Sequence, residues 1–278
     1  MRLLTAGLIT AKALAMAGAL HASGGAESDT LTTKYVVQGL RVIHRINPTT
    51  QLVAVRLYLL GGTRQLTETT AGIETLLLSA SQYGTQRFPG EETRRALGRT
   101  GSRVDIEAEA DWTVFGFQAL QGQLEATWAV FADRLMHPTL DDSTVGRARA
   151  RLRGAARRRW ASPEDRIDLM ASETAFRGHP YALDPRGTDT SLAGLSAAEV
   201  ARYQREQLVT SRMLLVVVGN VDRTRIESLV AATLGQLPAG SYVWSMPPPV
   251  PRRATNWMVD PRPQPTNYIL GYVYQSSC

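Results

Sequence analysis

The chain has 278 residues, 44% of them hydrophobic and 20% charged, a composition that excludes a disordered or fibrous protein and fits one large or two small globular domains. The net charge of +6 and pI of about 9.8 favour acidic partners or an anionic membrane surface and say nothing about fold. The single cysteine, Cys278, excludes an intrachain disulfide and a cysteine metal site, and no nucleic-acid-binding motif accompanies the basic charge, so nucleic acid is not an expected partner.

Residues 1–23 read as a bacterial export signal: Arg2, a mostly apolar stretch from Leu3 to Leu20, then small residues. This predicts a periplasmic protein. Residues 24–33 are small and polar and read as a linker before a domain spanning 34–245. Two apolar runs flank Gly39 as in a hairpin, and Leu52–Leu60, nearly all apolar, predicts a strand covered on both faces. Thr70–Gln82 predicts an apolar helix, and Pro89-Gly-Glu-Glu opens a short helix to Leu97, closed by Gly98 and Gly101. Val104–Glu109 alternates strictly, as a half-buried strand does, with Thr113–Leu120 as its antiparallel neighbour.

Leu124, Trp128, Phe131 and Leu135 have helical spacing up to Met136, and Pro138 stops that helix. A long helix follows from Asp141, and another from Pro163 to about Phe176. Ser196 and Glu199 form a capping box that starts a further helix. Met213–Gly219 reads as a buried strand, and Asp222 caps a last helix ended by Gly235. The order of types predicts an α+β fold, an antiparallel or mixed sheet with helices packed on one face. Seven prolines in 246–265 predict a stiff linker, and Tyr268–Tyr274 predicts the first strand of a second domain in 266–278.

Several segments resemble the insulinase/pitrilysin/mitochondrial-processing-peptidase family in order and spacing. They are Gly39-Leu-Arg-Val-Ile, Gly62-Thr-Arg-Gln, the Gly72-Ile and Gly84-Thr pair, Gly101 through Phe115, Phe176-Arg-Gly-His-Pro-Tyr, and Val216-Val-Val-Gly-Asn-Val-Asp. The resemblance covers roughly residues 34–275. It implies a module of two similar domains, of which this chain holds the first, the linker and the first strand of the second.

The resemblance also implies a zinc site of two His and a Glu on one helix, with a second Glu about 75 residues on. At those positions stand Thr75, Leu78 and Ser79, and the downstream stretch Gly154–Ala156 has no carboxylate. Hydroxyls do not hold zinc and a leucine cannot activate its water, so no metal, cofactor or catalysis by the family mechanism is expected. The four histidines, His21, His44, His137 and His179, never pair at ligand spacing and read as structural.

Arg147, Arg149, Arg151, Arg153, Arg157, Arg158 and Arg159 crowd one helix whose apolar stripe is narrow. They form either a solvated face or a docking surface for an acidic protein or anionic lipid. Val104, Asp105, Ile106 and Glu107 correspond, by the resemblance, to the family's peptide-binding edge strand. The expected function is a non-catalytic subunit of an envelope or membrane-associated complex that binds polypeptides without cleaving them. The alternatives are the non-catalytic half of a heterodimeric periplasmic zinc peptidase, an active peptidase with an atypical site, and a remnant without a partner.

Overall fold

The computed structural model describes residues 31–250, 258–260 and 270. The expected signal peptide, residues 24–30 of the linker and nearly all of the expected strand at 266–278 lie outside the described residues.

The first strands, β1 (Thr32–Val37) and β2 (Leu40–Ile46), form an antiparallel hairpin. Its two-residue turn, Gln38-Gly39, has positive φ at both positions, the geometry that matches strand twist. Because β1 already starts at Thr32, Thr32 and Thr33 belong to the sheet rather than to a linker. Next come β3 (Leu52–Leu60) and the short helix α1 (Ile73–Ala80), which tightens into a 3₁₀ turn at Ser81–Tyr83. Helix α2 (Glu92–Thr100) runs through Gly98 and ends at Gly101, whose left-handed conformation closes it. Strands β4 (Arg103–Ala108) and β5 (Trp112–Leu120) pair antiparallel as expected.

Helices α3 (Leu124–Met136), α4 (Asp142–Ala161) and α5 (Pro163–Ala175) follow. Helix α6 (Asp189–Gly194) was not anticipated; Thr188 and Ser191 cap it reciprocally. Then α7 (Ala197–Gln207) starts at the Ser196 capping box, β6 (Met213–Gly219) crosses the sheet, and α8 (Arg223–Ala231) ends four residues before Gly235.

The six strands form one mixed sheet in the order β1-β2-β6-β3-β5-β4. Only β2 and β6 run parallel; β6, the last strand in sequence, is inserted between β2 and β3. The core lies on one face, where Leu40, Val42, Val53, Val55, Leu57, Leu59, Phe115, Phe117, Leu215 and Val217 meet the helices. Phe131 of α3 stacks on Phe115 at 4.9 Å and meets Phe117 edge-on at 5.1 Å. Contrary to expectation, β3 is fully covered on one face only: Ala54, Arg56, Tyr58 and Leu60 are half-buried on the other.

The proline-rich segment leaves the domain but lies against it. The carbonyls of Pro238 and Ala239 accept from the backbone N–H groups of Thr210 and Ser211, both at 2.9 Å. Nε2 of His179 lies 2.9 Å from the Pro248 carbonyl, and Arg166 meets Asp260 at 2.5 Å. Among the described residues, no helix is long and apolar enough to cross a membrane.

All eight residues of α1 are buried. Glu74 is therefore a carboxylate in the core. Arg212, just before β6, meets it at 2.6 Å, and the Tyr203 hydroxyl of α7 donates to it at 3.0 Å. Arg212 Nε also donates to the Leu60 carbonyl at 2.5 Å. Burial alone would lower the Arg212 pKa, but the Glu74 carboxylate outweighs it and the value is raised. Removing one member leaves the other as an uncompensated buried charge, so Glu74→Ala should cost about 3–5 kcal/mol in urea denaturation. A loss under about 1 kcal/mol would contradict this account.

His44 sits fully enclosed on the core face of β2, and burial lowers its pKa. The unfolded chain then binds the proton more readily, so stability should fall as pH drops below about 6.5. The denaturation midpoint between pH 7.5 and 5.5 should show that loss, and His44→Leu should flatten it.

Candidate functional site

An open groove of about 2130 Å³ runs between the helical layer and the free edge of β4. Its floor is made by Thr75 and Ser79 of α1, Arg134 of α3, and Arg151, Leu152 and Ala156 of α4. One wall is β4 continued to Ala110, including Val104, Asp105, Ile106 and Glu107. The opposite wall is α5 with the 184–190 segment.

Backbone packing fixes the floor. Gly72 caps α1 with φ of 88°, and its Cα faces Gly187, itself at φ 84°. A Cβ at Gly72 would lie 2.7 Å from Gly187 Cα and 3.0 Å from the Arg186 carbonyl. The two glycines let the start of α1 press against the 184–188 turn. The Thr75 hydroxyl donates to the Pro185 carbonyl at 3.2 Å, and Ser191 Oγ donates to Ala71 at 2.9 Å.

The structure brings Thr75 and Ser79 to the groove and withholds Leu78, which is 1% exposed and part of the core. All four named residues of β4 line the groove. β4 ends the sheet, so one of its edges carries no strand. Asp105 lies 3.7 Å from Arg56 and 3.7 Å from Arg103, loose pairs on the outer face.

The arginines of α4 are not a uniform solvated face. Arg149 donates to the Leu195 carbonyl at 2.6 Å. Arg153 and Arg157 both bind Asp189, at 2.6 and 3.1 Å, and hold its carboxyl below the usual range. Arg159 binds Asp184 at 3.1 Å and the Gly187 carbonyl at 2.9 Å. Arg147 packs over Tyr83 at 4.3 Å and reaches Glu91 at 3.8 Å. Arg151 and Arg158 remain exposed, and of the two only Arg151 lines the groove. The sequence showed the charges of this helix but not their acidic partners, which lie on other elements.

Arg134 was missed. It is 4% exposed, and it donates from Nε to Ser81 Oγ and from Nη2 to the Leu78 carbonyl, both at 3.0 Å. The available signal was its position three residues after Phe131, where an apolar residue would be expected.

The positions that the resemblance assigns to metal and base thus present two hydroxyls, a buried leucine, an alanine and a nearby guanidinium. This donor set does not fit zinc. Among the described residues, no three of His, Cys, Asp and Glu stand together as a metal site.

A family model described as insulinase, peptidase family M16, matches residues 41–189. The chain belongs to the insulinase (M16) peptidase family. A second model, described as the peptidase M16 inactive domain, matches residues 194–276. That second stretch contains β6, which sits inside the sheet formed by strands of the first, so the boundary between the two matches is not a structural boundary.

The chain is 22% identical over 197 residues to the uncharacterized zinc protease YmxG of Bacillus subtilis, covering 70% of this chain and 48% of the relative. It is 24% identical over 177 residues to cytochrome b-c1 complex subunit 1 of Homo sapiens, covering 64% and 37%. The fold matches the first half of the periplasmic protease PqqL from Escherichia coli with a TM-score of 0.71 at 18% identity, over 80% of this chain and 49% of that one. The chain spans half or less of the length of these proteins.

The close Gly72–Gly187 approach predicts that Gly72→Ala destabilises by at least about 1–2 kcal/mol, since alanine resists positive φ and its Cβ meets backbone. Thermal melts of the two chains check this; equal midpoints would mean that the helix start can shift freely.

Proposed function

We propose that this M16-family chain is non-catalytic and works as a structural or partner subunit of an envelope or membrane-associated complex, binding extended polypeptides without cutting them. One observation carries the reading: an open edge strand borders a groove whose floor offers hydroxyls and guanidinium groups where peptide hydrolysis would need a metal and a base. An unpaired edge accepts a further strand through main-chain hydrogen bonds, and the side pockets select among side chains. A relative that is itself named as a complex subunit supports the partner role, and the fold match to a periplasmic protein supports a periplasmic location. Fold alone carries neither.

Amide hydrogen exchange of the full chain, with and without a reduced, carboxymethylated unfolded polypeptide, tests the reading. The expected result is slowed exchange across Arg103–Ala108, with the added polypeptide recovered intact by mass spectrometry. Unchanged β4 exchange, or metal-dependent fragments of the added polypeptide, would overturn it.

A further inference from the structure

Three arginines among the described residues are no more than 4% exposed: Arg134, Arg166 and Arg212. Arg166 meets Asp260 at 2.5 Å and Arg212 meets Glu74 at 2.6 Å. Arg134 meets no carboxylate. Its Nε and Nη2 are satisfied by Ser81 Oγ and the Leu78 carbonyl, its Cζ lies 5.0 Å from the centre of the Phe115 ring, and Nη1 makes no protein hydrogen bond. Burying a guanidinium without a counter-ion is expensive.

Part of Arg134's role is structural. A cation near the last turn of α1 suits the negative end of the helix and binds one of its free carbonyls. That role uses Nε and Nη2, while Nη1 is not sealed from solvent and belongs to a residue that lines the groove. The same role leaves Arg151 unexplained, an exposed arginine without an acidic partner that lines the same groove. Burial, with the nearby charge of Arg151 adding to it, pushes the Arg134 pKa down to about 9. Arg134 and Arg151 both line the groove, whereas the arginines around them, Arg147, Arg157 and Arg159, already face Glu91, Asp189 and Asp184.

We propose that Arg134 and Arg151 form a carboxylate subsite in the floor of the groove, which takes an Asp or Glu side chain of an extended polypeptide paired along β4. The subsite rests on the reading of β4 as a polypeptide-binding edge and specifies the chemistry of the partner. Arginine suits a planar carboxylate, and a bound carboxylate supplies the counter-ion that Arg134 lacks. Glu107 and Glu173 on the facing walls favour one negative charge over two. Ser79, on the same floor, adds a hydroxyl beside the cations.

The test uses short, fluorescein-labelled Thr/Val-rich peptides identical except for a central Glu, Gln or Lys, titrated with the full chain at low salt and followed by anisotropy. The Glu peptide should bind about tenfold more tightly than the Gln peptide, the scale of a charged hydrogen bond, and the Lys peptide weakest. Arg151→Gln should abolish the Glu-over-Gln preference, and Arg151→Lys should keep part of it. Arg134→Gln should act the same way if circular dichroism shows it folded; if it does not fold, Arg151→Gln decides, because that side chain is exposed. A purely structural Arg134 would not produce a Glu-over-Gln preference sensitive to Arg151. Equal Glu and Gln binding overturns the carboxylate subsite and leaves the edge reading standing. No binding of any peptide up to about 1 mM overturns both.

Discussion

Helix α1 has no exposed residue, and much of the domain is arranged around that constraint. A helix buried this far must find partners inside the protein for most of the polar groups it carries; Thr75 and Ser79 are its residues that reach the groove. Its carboxylate, Glu74, is met by Arg212 and Tyr203, which ties the helix to the head of β6 and to α7. Thr75 is tied to the 184–188 turn through Pro185. At the other end, the Leu78 carbonyl is met by Arg134 from α3. These contacts draw together elements far apart in sequence.

The same constraint explains the chemistry of the groove. The scaffold that would hold a metal helix is intact: buried α1, the neighbouring α4 and the open edge of β4. Where coordination needs imidazoles and carboxylates, the floor offers hydroxyls, an alanine and two arginines, a donor set that does not suit a divalent cation. Membership of a peptidase family therefore fixes the shape of the site and leaves its function to the residues.

Much of this was legible in the sequence. The limits of α3, the strand pair β4–β5, the capping box at Ser196 and the strand β6 depend on local periodicity and capping, which a linear chain displays. That Thr75, Leu78 and Ser79 stand where the resemblance implies metal ligands and base could be read directly, since it concerns residues at a known spacing. What the sequence hid depends on distant partners. The α4 arginines looked like a free cationic face because Asp184, Asp189 and Glu91 lie on other elements. Arg134 went unread: its spacing from Phe131 marked an apolar position, but the partners that enclose it, Phe115 and Leu78, lie on other elements. The single-faced burial of β3 likewise followed from helices packing on only one face of the sheet, not from its own composition.

The most direct test of the central claim is a calorimetric titration of zinc into the purified, metal-free chain, with bound metal counted after dialysis. The account predicts no saturable binding at one ion per chain and no retained zinc. One tightly held zinc per chain, lost on exchanging Thr75 and Ser79 for alanine, would contradict it.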